Sequence, residues 1–207
     1  MAAIGAIVGW CALVLQFFLS IGIAQAAGRT AAWGIFQYVG FFTVLTNLLV
    51  ALALTASATG WASPLWRFFR RAGVQTAIAA SIVIVGLTYF FILRHVWAPT
   101  GLLLLADVLL HYVMPEVFVV HWWLRVPARA LRFADVPGWW GYPIGYLVYV
   151  LVRGAVAGVY PYPFIDLATL GPARTAINAV AVLAAFTAVA LLLVALGRVK
   201  PEAEEKV

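Results

Sequence analysis

Polar positions are scarce along this chain and gather between long, uninterrupted apolar runs. Six runs approach the ~20 mostly apolar residues needed to cross the hydrocarbon core of a bilayer: 4–24, 36–56, 74–94, 102–124, 139–158 and 175–197. The stretches between them carry turn chemistry, namely Gly28-Arg29, Ser63-Pro64, Pro99-Thr100-Gly101, Pro127, Pro137-Gly138, Pro161, Pro163 and Gly171-Pro172. Backbone groups in lipid must be paired internally, so only helices or a closed barrel can span. The runs are continuous rather than alternating, which selects helices. The pattern predicts an all-α polytopic membrane protein: one bundle of six transmembrane helices over residues 1–197 and a short tail, 198–207. Ala24-Gln25-Ala26 resembles a small-x-small cleavage site. However, residues 1–5 (MAAIG) carry no Lys or Arg, and Ile4 to Ile23 is long enough to span, so a retained first helix is expected.

Composition agrees with this pattern. AVILMFWYC make up 66% of the chain and DEKR 10%, against roughly 45–50% and about 25% in soluble domains. The absence of a long Lys/Arg block argues against nucleic acid as a partner. The single cysteine, Cys11, can make no internal disulfide and no Cys-rich metal site. No internal repeat is visible, so an inverted-repeat transporter lacks its main sequence sign.

Charge placement sets the orientation. The segment 57–73 holds Arg67, Arg70 and Arg71, the segment 125–138 holds Arg125, Arg129 and Arg132, and the tail holds Arg198, Lys200 and Lys206. The alternate segments hold one each: Arg29, Arg94 and Arg174. Nine against three predicts both termini on the cytoplasmic side. Trp and Tyr near the span ends fit interfacial belts.

Ionisable residues inside spans are costly and therefore mark function by default. The second span carries Thr43, Thr46 and Asn47, the fourth carries Asp107, His111, Glu116 and His121, and the fifth carries Arg153. Asn178 lies early in the sixth. At 1.5 Å rise per residue, Thr43 lies roughly 10 Å, His111 roughly 13 Å and Arg153 roughly 8 Å below the outer ends of their helices. Asp107 and His111 are four apart, on one helix face, where a carboxylate can fix the imidazole tautomer. Arg153 needs an anion, and Asp107 and Asp166 are available. Each has a bland reading: Thr46 bonding within its own helix or to a neighbour, an Asp–His–Arg network holding helices together, and His95 as an interfacial residue rather than a ligand. Zinc is disfavoured, because His111 and His121 are about 15 Å apart along one helix.

Several segments bear a family likeness. LRHVW (93–97), LADVLLHYVMP (105–115), YPIGYLVYVLVRGAVAGVYPYPFID (142–166) and FFTVLTNLLVAL (41–52) resemble the bacterial "Pr-six-Pr" family of six-pass membrane proteins, which has no assigned function. GVYPYPFID is the most specific piece. The chain is also distantly similar to the androgen-induced and androgen-dependent TFPI-regulating proteins, membrane threonine hydrolases of fatty acid esters of hydroxy fatty acids. Their Thr corresponds to Thr43 in Phe41-Phe42-Thr43, and their His to His111 before Val113-Met114-Pro115. The family His stands one residue further from its Pro. Gly158 through Phe164 and Gly171 through Arg174 carry further likeness.

The resemblance implies an inner (plasma) membrane hydrolase of a lipid-like ester, with the bilayer and the ester as partners and no cofactor. Thr43 would be the nucleophile and His111 the base, with Asp107 orienting it. Asn47 or Arg153 would stabilise the oxyanion, with Asp166 as a further binding candidate. The rival expectation is a non-enzymatic carrier or structural membrane protein, whose polar cluster binds a small molecule or packs helices.

Overall fold

A computed structural model describes residues 1–201, so Lys206 and most of the tail lie outside the described residues. The described chain is all-helical, and five of its helices are long and apolar enough to cross a membrane. The first is α1 (Ala2–Ala26). A short α2 (Ala31–Tyr38) follows, capped by Thr30, whose Oγ1 accepts from Trp33 N–H at 3.2 Å. Next come α3 (Phe42–Thr59), α4 (Pro64–Phe69) and α5 (Ala72–Phe91). A 3₁₀ turn at Leu93–His95 prolongs α5, so that Ala72–His95 forms one apolar span. The fourth span, Gly101–Arg125, is built from α6 (Gly101–Val108), a π-helical turn (Leu109–Val113) and α7 (Met114–Arg125). Then come α8 (Gly141–Ala157) and α9 (Leu167–Val199), the latter kinked at Gly171 ahead of Pro172.

Three predicted spans differ from what is observed, the first being 139–158, which forms the 17-residue α8 and is not among the five helices long enough to cross. The run 36–56 is not one helix: it breaks at Val39–Phe41, between α2 and α3. The run 175–197 is the later part of a helix that begins at Leu167, where Asp166 caps it. The break in the second run has a packing cause. Gly40 lies against the Arg153 guanidinium so closely that a Cβ would sit 2.8 Å from Arg153 Cζ. A helix end leaves carbonyls without intrahelical partners, and here α8 supplies them. Arg153 Nη2 donates to Phe36 O (3.2 Å), Tyr149 O–H to Val39 O (3.3 Å) and Tyr146 O–H to Gly40 O (2.9 Å). The polar side chains of α8 therefore hold the broken end of α2 in place, and with it the first turn of α3.

The two ends of the bundle are packed differently. Toward the arginine end, which bears Arg70 and Arg125, α3, α5, α7 and α9 share one large core that includes Leu54, Ile82, Phe118, Trp122 and Phe186. Small residues such as Ala53, Ala56, Ala79 and Ala80 are fully buried there, letting the helices approach closely. Trp122 Nε1–H donates to Thr76 Oγ1 at 2.8 Å, and Arg70 closes the end of α3 by donating to Ala56 O and Trp61 O. The opposite end, which bears Thr43 and His111, has two small apolar clusters and the two cavities described below.

Candidate active site

The break before α3 decides the chemistry of Thr43. A Thr inside a helix commonly donates its hydroxyl proton to the carbonyl four residues back, as Thr55, Ser57, Thr76 and Ser81 do here. Thr43 stands in the first turn of α3, and its fourth preceding residue, Val39, lies in the break. Its Oγ1 instead meets His111 Nε2 at 3.3 Å and Tyr162 Oη at 3.5 Å. The residue is buried, at 7% exposure.

The π turn places the other partner. Met114 N–H reaches five residues back to Leu109 O, and Pro115 has no N–H to give to His111 O. Leu110 O is taken instead by Asn47 Nδ2–H (3.1 Å), whose amide also donates to Thr43 O (2.9 Å). Asn47 thereby ties the first turn of α3 to the π turn that carries His111. Because the helix is irregular here, the 100° step of a regular helix does not describe the side chain's direction around His111.

His111 Nδ1 lies 3.0 Å from Asp107 O and 3.3 Å from Asp107 Oδ1. Both are acceptors, so Nδ1 carries the proton and Nε2 presents a lone pair toward Thr43. Tyr89 fixes the arrangement twice. Its ring stacks on the imidazole with centroids 4.1 Å apart, and its O–H donates to Asp107 Oδ2. Thr43, His111 and Asp107 therefore form a hydroxyl–imidazole–carboxylate chain, with the hydroxyl proton directed at a nitrogen able to take it.

Two cavities meet at Thr43. One, about 480 Å³, is a vestibule whose largely apolar lining is interrupted by the polar side chains of Gln16, Ser20, Arg29, Gln37, Asp107 and His111. Arg29 stacks over Trp33 at 4.3 Å. The other, about 180 Å³, is an apolar groove between α5, α8 and α9. Thr43, Leu93 and Tyr162 line both.

Other expected site residues do different work. Asn47 lines neither cavity, and its two amide protons go to backbone carbonyls, so it is no oxyanion donor. Arg153 also lines neither. It pairs with no carboxylate among the described residues: it donates to Val159 O, Phe36 O and Gln37 Oε1 and lies 3.9 Å over the Phe36 ring. The expected partner Asp166 is the N-cap of α9, accepting from Ala168 N–H (3.0 Å) and Thr169 N–H (3.2 Å). Thr46 is fully buried and shares a 2.9 Å hydrogen bond with Tyr142 of α8, not with its own helix. Glu116 is exposed on α7, away from the cluster. His95 is exposed in its 3₁₀ turn and accepts from Arg94 Nε. Asn178 donates to Phe164 O.

Tyr162 and Tyr89 were missed from sequence. Thr43 N–H donates to Tyr162 Oη at 3.4 Å, which leaves the phenol proton free to point at Thr43 Oγ1 or at an oxygen held beside it. Tyr162 belongs to the GVYPYPFID run, which was the available signal. No known protein family, curated protein or solved structure matches the chain.

Proposed function

We propose that this protein is a membrane-embedded threonine hydrolase acting on a lipid-like ester. The observation that carries the reading is the contact between Thr43 Oγ1 and His111 Nε2, with Nδ1 engaged by Asp107. A Thr hydroxyl is a weak nucleophile until an adjacent base takes its proton. In the proposed reaction, Oγ1 adds to the ester carbonyl as its proton passes to Nε2. The tetrahedral intermediate collapses, the C–O bond to the alcohol breaks, and His111 protonates the leaving alkoxide. Water from the vestibule then adds to the acyl-threonine, with His111 taking its proton and returning it to Thr43 as the acid leaves. Oxyanion stabilisation comes from the Tyr162 O–H and from the N-terminal end of α3, whose dipole favours negative charge. Asp107 and Tyr89 hold the imidazole.

The distant likeness to the androgen-induced protein family supports this reading. The chain has six spans in an inner membrane in this reading, and the charge placement favours both ends inside. The sixth span is α8, whose 17 residues reach about 25 Å. Under this orientation the cavities lie in the outer half of the membrane. Reporter fusions after residues 70 and 130 should both read cytoplasm, and a periplasmic signal from either would reverse the orientation.

The carrier reading requires a path through the bundle, and the packed core at the arginine end disfavours one. The decisive experiment is labelling of the purified protein with a fluorophosphonate hydrolase probe. Wild type should be labelled and Thr43→Ala should not. Equal labelling of both would remove Thr43 from the reaction, and no labelling together with no ester turnover by wild type would return the chain to a binding or structural role.

A further inference from the structure

Thr43 stands where two unlike cavities join, and His111 belongs to only one of them. His111 and Asp107 line the vestibule and are absent from the lining of the groove. In the proposed reaction His111 must reach the alcohol oxygen to protonate it, so that oxygen lies on the vestibule side. The carbonyl carbon is bonded to Thr43 Oγ1 at the junction. The remaining substituent of that carbon, the acyl chain, is left with the other exit.

That exit suits a hydrocarbon. Besides Thr43, its polar contributors are Thr88, Tyr146 and Tyr162, and Tyr146 has its O–H committed to Gly40 O. The walls are otherwise apolar, with Ile84 and Val85 from α5, Leu147 from α8, and Val182 and Leu183 from α9. Ile144 and Val180 at its edge are 43% and 67% exposed, so the groove opens sideways between α8 and α9 toward lipid. The vestibule, with Gln16, Ser20, Gln37 and Arg29, can hold the water that deacylation needs.

We infer that the groove between α5, α8 and α9 is the acyl-chain subsite and that the alcohol half of the substrate occupies and leaves through the vestibule. This rests on the hydrolase reading for its chemistry. It makes chain-length preference a property of α8 and α9, separate from the residues that perform the reaction. Removing room for methylenes from an apolar site costs roughly tenfold or more in discrimination.

Ala179→Phe on α9 and Leu147→Trp on α8 fill the groove from opposite walls, so one informs if the other fails to fold. Each should lower kcat/KM for p-nitrophenyl palmitate relative to p-nitrophenyl butyrate by roughly tenfold or more. Ser20→Phe in the vestibule should leave that ratio unchanged. An unchanged ratio in both groove variants, or a ratio lowered by Ser20→Phe alone, would overturn the assignment. A second readout does not need turnover. A palmitoyl ester with a terminal diazirine, photolysed on wild-type protein, should attach to the α8 and α9 segments around Ile144 and Val180. Attachment only to α1 or to residues 96–103 would sink the subsite. Groove labelling by a protein that hydrolyses nothing would keep the subsite and discard the hydrolase.

Discussion

The same two helical spans carry two hydroxyl–histidine pairs, one at each end of the bundle. Near the vestibule Thr43 meets His111 at 3.3 Å, and near the arginine end Ser57 meets His121 at 3.2 Å. By distance alone they are equivalent. Their protons make them different. Ser57 sits in the last turn of α3, with a full turn of helix before it, and donates to Ala53 O at 2.9 Å, so it can only accept from His121. Thr43 sits in the first turn, where the backbone offers no such acceptor. His121 is 2% exposed, packs near Phe118 and has no carboxylate behind it among the described residues. His111 has Asp107 behind it and a cavity in front. A hydroxyl beside an imidazole becomes a nucleophile–base pair only when the hydroxyl proton is uncommitted and the imidazole's other nitrogen is engaged.

The largest effect should separate the pairs by activity. Thr43→Ala and His111→Ala should each lower kcat for a long-chain ester by about three orders of magnitude or more, and the double variant should lose little further, because such residues act as a unit. Ser57→Ala should keep near-normal turnover. Comparable losses from Ser57→Ala would break the comparison.

Stability should show the reverse. His121→Ala removes a fully buried ring from the large core, and about 2–4 kcal/mol of stability should go with it. Its melting temperature in detergent should fall while kcat per folded molecule holds. A lost kcat with an unchanged melting temperature would assign the chemistry to the wrong end.

Asn47→Ala should sit between these outcomes. It releases the π turn from α3, and a displacement near 1 Å at the reacting atoms costs on the order of a hundredfold in kcat. Size-exclusion profiles should match wild type. Full activity in this variant would mean that the Thr43–His111 contact needs no tie.

Arg153→Leu should have the smallest effect on the chemistry itself, since the guanidinium touches neither cavity. It strands the carbonyls of Phe36 and Val159, and unsatisfied buried acceptors cost about 1–3 kcal/mol each. The melting temperature should fall, with kcat reduced only as far as α2 and α3 loosen. An unchanged melting temperature would place Arg153 in lipid headgroups instead.

The sequence made some of this legible. Apolar runs located the spans, and membrane depth put Thr43, His111 and Asp107 at one level. Thr43 was singled out by likeness, not by its position in a helix. The break at Gly40 was hidden because Gln37 through Val44 reads as apolar, and hydropathy does not distinguish a straight span from a broken one. Everything that depends on the break was hidden with it. Arg153 was assigned a carboxylate because a charge at membrane depth requires a partner. The carbonyls that serve it exist only because α2 ends early. Asn47 was read as a free amide for the same reason, since the acceptor at Leu110 is released only by the π turn. Pro115 hinted at an irregularity there without giving its form. Tyr89 and Tyr162 looked like ordinary aromatic residues in apolar surroundings.

The π turn has a further consequence at the level of inheritance. Its five residues occupy the length of a regular turn plus one, so it behaves as a single inserted codon within the fourth span. Deleting one residue between Leu109 and Val113 would restore an ordinary helix and rotate one half against the other by about 100°. The arginine-end core and the vestibule face would then no longer point to their own neighbours together. Single-residue insertions or deletions should be tolerated far less well here than in the loops at 60–63 or 126–132.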